Sequence, residues 1–138
     1  MDEKTLEQSL ADEFIREWDI TPTGNGYLIT TDWQWPNHER IEIFVRMVGD
    51  REDLLLVTDG GELFSFLYSQ GIDLSKDEHG MKVINGVAEH YGAKIADFQM
   101  ARGTNPGDLP RSIRLLLEAI KDASLLLWYK LDQRSSLH

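Results

Sequence analysis

The sequence predicts an α+β domain: an antiparallel sheet of about four or five strands, packed by three to four helices, with a long C-terminal helix. Two observations predict this class. After a first helix, apolar runs with strand character are joined by short turns, which is typical of an antiparallel meander. Farther along, apolar residues recur every three or four positions, as in helices. Because 138 residues suffice for one core but not two, we expect a single domain over residues 1–138.

Residues 1–20 predict an acidic N-terminal helix. Residues 5–8 have the sequence of a capping box. The helix is expected to run to about Trp18, and its apolar side chains recur at four-residue steps along one face: Leu6, Leu10, Phe14 and Trp18.

Three strands follow in the first half of the chain. Residues 27–31 and 41–47 have the β-branched content or the alternation of strands, and residues 54–58 are apolar on both faces. The third run is therefore placed centrally in the sheet. Residues 21–26 are rich in Thr, Pro, Gly and Asn, so we interpret them as a turn.

Helices are predicted in the second half. One covers residues 63–68 and a second precedes Gly92, with five side chains expected to point inward: Val83, Ile84, Val87, Ala88 and Tyr91. Residues 93–101 are interpreted as one strand or two short ones broken near Asp97. Asp108 and Pro110 then open the final helix as N-cap and first-turn proline.

The final helix carries a heptad-like apolar seam, formed by Ile113, Leu117, Ile120, Ser124, Leu127 and Leu131. Residues 125–129 are apolar nearly all round, which is more than one contact face requires. The additional face could cover the domain's own sheet, or it could bind a second subunit or another protein. We predict a homodimer through Leu125, Leu126, Trp128 and Tyr129.

Charge is distributed unevenly. The net charge is −10, and the first 62 residues, with 15 acidic and 5 basic side chains, account for all of it. This charge disfavours direct nucleic-acid binding and favours a protein partner with a basic surface, although solubility alone also explains it. The chain has no Cys, which excludes disulfides and Cys-based metal sites. Without a long apolar run, no membrane contact is expected, and we expect a cytoplasmic protein.

One known family has motifs in the same order. Its most specific match is the strand-to-helix turn Val57-Thr58-Asp59-Gly60-Gly61-Glu62-Leu63, supported by Gly71-Ile72-Asp73-Leu74 and Asp108-Leu109-Pro110. Across residues 26–128 the chain resembles the bacterial and prophage family called domain of unknown function 1828, which would place the family-like core at residues 26–131. The resemblance implies a phage or mobile-element setting and no general activity. The chain departs from it at Gly60, where the family usually has an acidic residue.

The turn at Asp59, Gly60, Gly61 and Glu62 is interpreted as structural. Asp59 would be the helix N-cap, with Glu62 answering from the third helical position. Five carboxylates lie on or at the ends of the predicted strands: Asp32, Glu39, Glu42, Asp59 and Glu62. Two or three could bind Mg²⁺ or Mn²⁺ if they converge, but no Lys stands two residues after Glu42, as one type of nuclease requires. We therefore expect no catalytic residues, no metal site and no cofactor.

Residues 33–39 form the most unusual segment, because two Trp flank a Gln in a loop with Pro. Trp is enriched among residues that dominate interface energies, so we expect protein binding through Asp32, Trp33, Trp35 and Glu39. The function this favours is a non-enzymatic protein-interaction module of phage or mobile-element type, for instance an acidic inhibitor of a host nucleic-acid-binding defence system. Two alternatives stay open: a metal-dependent hydrolase of nucleotides or nucleic acid, and an immunity or antitoxin protein.

Overall fold

A computed structural model describes residues 1–126 and residue 130 and confirms the α+β class. Within these residues, four α-helices and six strands follow one another in the order α1 (Glu3–Ile15), β1 (Asp19–Thr23), β2 (Gly26–Gln34), β3 (Arg40–Val48), β4 (Arg51–Thr58), α2 (Glu62–Ser69), α3 (Glu78–His90), β5 (Lys94–Ala96), β6 (Gln99–Thr104) and α4 (Leu109–Ser124). A short 3₁₀ turn, Leu74–Lys76, lies between α2 and α3.

The strands form one antiparallel sheet with the order β1-β2-β3-β4-β6-β5. The predicted central strand is β4, which lies between β3 and β6. Alternate residues of β3, namely Ile41, Ile43 and Val45, are buried. Together with residues from α2, α3 and α4 they form the hydrophobic core.

Strand β1 was not predicted. Residues 21–23, interpreted as part of a turn, instead pair with β2, with Pro22 opposite Tyr27. Pro cannot donate to a sheet ladder, and it is tolerated here because β1 is an edge strand. The turn itself is confined to Gly24 and Asn25.

Helix α1 begins and ends earlier than its sequence predicts. Its N-cap is Asp2, whose carboxylate accepts a hydrogen bond from the Thr5 backbone N–H at 2.8 Å. Thr5 is therefore inside the helix, and the predicted capping box is wrong. The helix ends at Ile15, so Trp18 is not part of it, and none of its residues is buried.

Helices α3 and α4 cover the core as predicted, with exceptions. Ile84 and Ala88 of α3 are buried, but Val83 is exposed. In α4 the first four seam residues are buried: Ile113, Leu117, Ile120 and Ser124. Asp108 occupies the N-cap position of α4, although its side chain makes no capping hydrogen bond. The seam residues Leu127 and Leu131 lie outside the described residues.

Candidate functional site

The tryptophan loop, residues 33–39, was predicted to be a binding surface, and the structure differs from this prediction at Trp35. Trp35 is only 4% exposed, and its ring stacks on Phe66 of α2 with centroids 5.3 Å apart. Trp33 is partly buried and packs against the core. Trp35 is thus a core residue, because the loop folds back over α2, and the expectation that it contacts a partner is wrong. Glu39 remains exposed.

Asp32 has a structural contact as well. Its carboxylate accepts a hydrogen bond from the Trp18 indole N–H at 2.8 Å, while Trp18 packs against the core. Arg40 adds a second connection, since its guanidinium donates to the Glu17 carbonyl and pairs with Asp19 at 3.3 Å. These contacts hold the segment that follows α1 against the sheet.

The N-cap of α2 is Gly61 rather than Asp59, so that prediction is wrong, although the Asp59 side chain still bonds to the start of the helix. Asp59 is fully buried, and its carboxylate accepts hydrogen bonds from the backbone N–H groups of Gly61, Leu63 and Met100 at 2.9–3.0 Å. It therefore joins the start of α2 to β6. Burial raises the pKa of Asp59, and the three N–H donors act in the opposite direction.

Gly60 and Gly61 allow the sharp change of backbone direction between β4 and α2. Gly60 and Gly61 have positive φ angles of 66° and 86°. A Cβ atom on Gly60 would lie 2.5 Å from the Phe44 ring, so an acidic residue cannot replace Gly60 in this backbone without a shift. Glu62 is the first residue of α2 rather than its third, and it therefore does not complete the predicted capping box.

An open cleft of about 850 Å³ lies between α2 and residues 35–42. Its carboxylates are Glu39, Glu42 and Glu62, and its other polar side chains include His38, Arg40 and Ser65. Of the five carboxylates predicted at the strand ends, the fold thus brings three to one cleft. Asp59 is buried close to Glu62, and Asp32 is engaged with Trp18.

Glu62 is the most perturbed side chain of this cleft. Burial, followed by the negative charges of Glu42 and Asp59, raises the pKa of Glu62 to about 7. The neighbouring Trp35 acts in the opposite direction and lowers the pKa of Glu62. Glu42 also accepts a hydrogen bond from the Thr30 hydroxyl at 3.4 Å. Glu42 on β3 and Glu62 on α2 thus line the same cleft.

Residues 1–126 and residue 130 contain no candidate metal site and no helix that could span a membrane. There, no three His, Cys, Asp or Glu side chains are grouped so that they could hold a metal ion. None of the helices in this part of the chain combines the length and the apolar character needed to cross a bilayer.

The largest exposed feature of the N-terminal region is the apolar face of α1. Its side chains are about half exposed or more: Leu6 48%, Leu10 49%, Phe14 70% and Ile15 57%. On the adjoining β1 and β2, Ile20 and Tyr27 are also exposed, at 65% and 50%. Acidic residues accompany the apolar face, namely Glu3, Glu7, Asp12 and Glu13. The sequence indicated this apolar face, but gave no sign that it would remain uncovered.

The predicted homodimer surface is only partly described. Leu125 is 57% exposed, whereas Leu126 is buried in the core at 4%. Leu126 is therefore unavailable to a second subunit, which corrects that part of the prediction. Trp128 and Tyr129 lie outside the described residues, and the homodimer stays a prediction.

Comparisons with known proteins add little to this geometry. No family model matches the chain, and no curated protein matches it. A crystal structure of an uncharacterized protein from Methanothermobacter thermautotrophicus aligns with 97% of this chain and 99% of its own, at 11% sequence identity and a TM-score of 0.45. The resemblance to domain of unknown function 1828 and to a prophage setting therefore stays a prediction.

Proposed function

We propose that this chain is a non-enzymatic protein-interaction module that binds a basic partner through helix α1. The observation that carries the proposal is that none of the 13 residues of α1 is buried, although the helix has an apolar face. An amphipathic helix of this kind can place its apolar residues in a hydrophobic groove of another protein. The proposed binding surface is thus α1 rather than residues 33–39, because Trp35 is buried and Trp33 is partly buried.

The energetics of α1 support a role in binding. Isolated helices of this length are marginally stable in water, and α1 gains no burial of its own from the domain. A partner that covered Leu6, Leu10 and Phe14 would remove apolar surface from water. This burial contributes roughly 25 cal/mol per Å² to binding, from which the free energy lost in bringing two proteins together must be subtracted. A helix of 13 residues is about 20 Å long, which sets the length of groove that it could fill.

The charge of α1 defines the partner further. Four acidic side chains and Lys4 leave the helix with a net negative charge, so a groove rimmed by Lys or Arg would be complementary. Such charges accelerate association and exclude acidic partners. They also repel phosphate backbones, which supports a protein partner rather than nucleic acid.

Two biological roles fit this chemistry. The chain could inhibit a host nucleic-acid-binding defence protein, whose binding surface is basic, or it could be an immunity or antitoxin protein that neutralises a cationic toxin. Both roles use the same acidic, apolar helix. The gene neighbourhood separates them, because an immunity or antitoxin gene is expected beside its toxin gene.

The test is capture of a partner by the tagged full chain from its host, followed by measurement of the purified complex. We expect a stoichiometric partner with a basic surface, whose binding is lost when Leu6, Leu10 and Phe14 are changed together to Gln. Val83→Gln is the matched control, because Val83 is also an exposed apolar residue on a helix, at 38%. The control should bind like the wild type. Undiminished binding of this partner by the triple variant would refute the proposal.

Salt dependence supplies a second readout on the same complex. Association should slow as salt rises, because screening acts over a Debye length of about 8 Å at physiological ionic strength. The dissociation rate should respond mainly to the apolar substitutions. An association rate that does not change with salt would remove the charge argument for α1.

A further inference from the structure

Helix α1 is connected to the sheet by a short segment of the chain. The helix ends at Ile15 and β1 begins at Asp19, so residues 16–18 lie between them. None of the side chains of α1 is buried, and packing along the helix therefore does not determine the direction in which it points. The contacts that fix this direction must be made by the connecting segment and the start of β1.

The first of these contacts is made by Trp18. Its indole N–H donates to the carboxylate of Asp32, on β2, at 2.8 Å, and its ring packs against the hydrophobic core. Its backbone N–H donates to the carbonyl of Ile15, the last residue of α1, at 3.0 Å. A single residue is thus bonded both to the end of the helix and to the sheet.

The second contact is made by the guanidinium of Arg40, on β3. Its Nε donates to the Thr31 carbonyl of β2 at 2.7 Å, which holds the side chain against the sheet. Its two terminal nitrogens reach the chain after α1, because Nη2 donates to the Glu17 carbonyl and Nη1 pairs with Asp19 at 3.3 Å. Since the guanidinium is planar and its N–H groups have fixed directions, the position of Glu17 is set by the other two contacts.

We propose that Asp32 and Arg40 are positioning residues, which fix the direction of α1 and so preorganise the helix for its partner. A helix that is already held in its binding direction loses less conformational freedom when a partner covers it, and such preorganisation raises affinity. If both contacts are lost, only a fraction of the molecules presents α1 correctly, and the apparent affinity falls by that fraction. The effect on affinity rests on the proposed function of α1, whereas the effect on direction does not.

The first experiment measures the direction of α1 without a partner. Because the chain has no Cys, spin labels can be attached at Ser9→Cys in α1 and Glu89→Cys in α3, which are both exposed positions. Double electron–electron resonance should give a single narrow distance distribution in this labelled parent chain. We expect that single distance to be lost when Trp18→Phe and Arg40→Gln are combined. Trp18→Phe keeps an aromatic ring for packing but removes the N–H donor.

Arg46→Gln is the matched control for this measurement. Arg46 is an exposed arginine on the same strand as Arg40, but its guanidinium lies over the Phe44 ring, 5.8 Å from the ring centroid. It should keep the narrow distribution. Asp32→Ala, at an exposed residue, is a milder variant that should broaden the distribution, and urea unfolding establishes that each labelled protein is folded. A broad distribution in the parent chain, or a narrow one in the folded variants at Asp32 and Arg40, would overturn the proposal.

The second experiment measures the affinity of the unlabelled proteins for the basic partner captured by the full chain. If about a tenth of the molecules of the double variant hold α1 in the binding direction, the variant should bind about tenfold more weakly. Arg46→Gln should bind like the wild type. Equal affinities of the wild type and the double variant would overturn the role of Asp32 and Arg40 in binding.

The two proposals fail in different ways. A partner whose binding does not depend on Leu6, Leu10 and Phe14 would refute binding through α1, but it would leave the resonance measurement of the helix direction unaffected. A helix that is mobile in the parent chain would refute the positioning role, while binding through α1 would still stand.

Discussion

Helices α1 and α4 have the same kind of sequence pattern, but α4 packs into the core and α1 does not. Each repeats apolar residues at helical spacing, yet eight of the 16 residues of α4 are buried and none of the 13 residues of α1 is. The two helices differ in the elements that they pack against. Helix α4 covers the sheet beside α2 and α3, whereas α1 precedes the edge strand β1 and reaches none of this core. Apolar residues at helical spacing therefore predict a helix, but they do not predict which surface its apolar face packs against.

The largest expected difference comes from removing one apolar side chain from each helix. Leu117→Ala in α4 should lower the free energy of unfolding by roughly 2–5 kcal/mol, because Leu117 is 1% exposed and its removal leaves a cavity. Leu10→Ala in α1 should change it by less than about 0.5 kcal/mol, since Leu10 is 49% exposed. Urea unfolding of both variants measures this. Equal losses would mean that α1 packs against the domain in solution.

The carboxylates that bond to the starts of α2 and α1, Asp59 and Asp2, give a smaller difference in stability of the same kind. Asp59→Asn should lower the free energy of unfolding by about 1–3 kcal/mol, because Asn keeps one acceptor oxygen for Gly61 and Met100 while its amide nitrogen cannot accept the Leu63 N–H that Oδ2 accepts. Asp2→Asn in α1 should leave it unchanged, since Asn caps a helix as well as Asp. Thermal and urea unfolding should rank the variants in this order. An Asp59→Asn protein as stable as the wild type would contradict the hydrogen-bond assignment.

The sequence predicted the helices and strands better than it predicted the tertiary contacts between them. β-Branched content, alternation, an apolar run and helical spacing predicted three of the four meander strands and all four helices, because these are local properties of the sequence. The edge strand β1 was missed because Pro and Thr have the same local chemistry in a turn as in an edge strand. The burial of Trp35 and the position of Glu42 and Glu62 in one cleft arise from non-local contacts, so no spacing in the sequence indicates them.

The unusual hairpin between β5 and β6 is a further example. Asp97 and Phe98 both have positive φ angles, 52° and 58°, and Phe in this conformation is uncommon. The sequence predicts one strand or two short ones broken near Asp97, but it does not indicate this backbone, for which glycine is the usual signal. Phe98 contacts the Phe64 ring edge-on with centroids 5.5 Å apart, and this contact, which the sequence does not reveal, accompanies the conformation.

The pH dependence of stability should differ in sign between the starts of α2 and α1. The folded-state pKa of Glu62 is raised from 4.5 to about 7, so its stabilising contribution is fully present below about pH 4.5 and is lost as the pH rises through about 7. Capping by the Thr5 N–H lowers the pKa of Asp2. Its contribution is therefore present above the ordinary value and is lost as the pH falls.

Unfolding measured in urea at about pH 5 and about pH 8 tests the larger of these effects. Glu62→Gln should reduce the loss of stability between the two values relative to the wild type, because Gln does not titrate. Glu39→Gln should follow the wild type, since Glu39 is exposed. A Glu62→Gln protein with the wild-type pH slope would show that the raised pKa of Glu62 has no energetic counterpart.

The smallest expected effect on stability is deletion of residues 1–15. The deletion removes all of α1 but keeps the contacts of Trp18 with Asp32 and of Arg40 with Asp19, so the free energy of unfolding should change by less than about 0.5 kcal/mol. Trp18→Ala is the informative comparison, because Trp18 packs against the core and its loss should be clearly destabilising. Urea unfolding measures both proteins. If the deletion destabilises as much as Trp18→Ala, α1 belongs to the folded core and its apolar face is not free for a partner. If stability is kept while capture of the partner is lost, α1 contributes to binding and not to the fold.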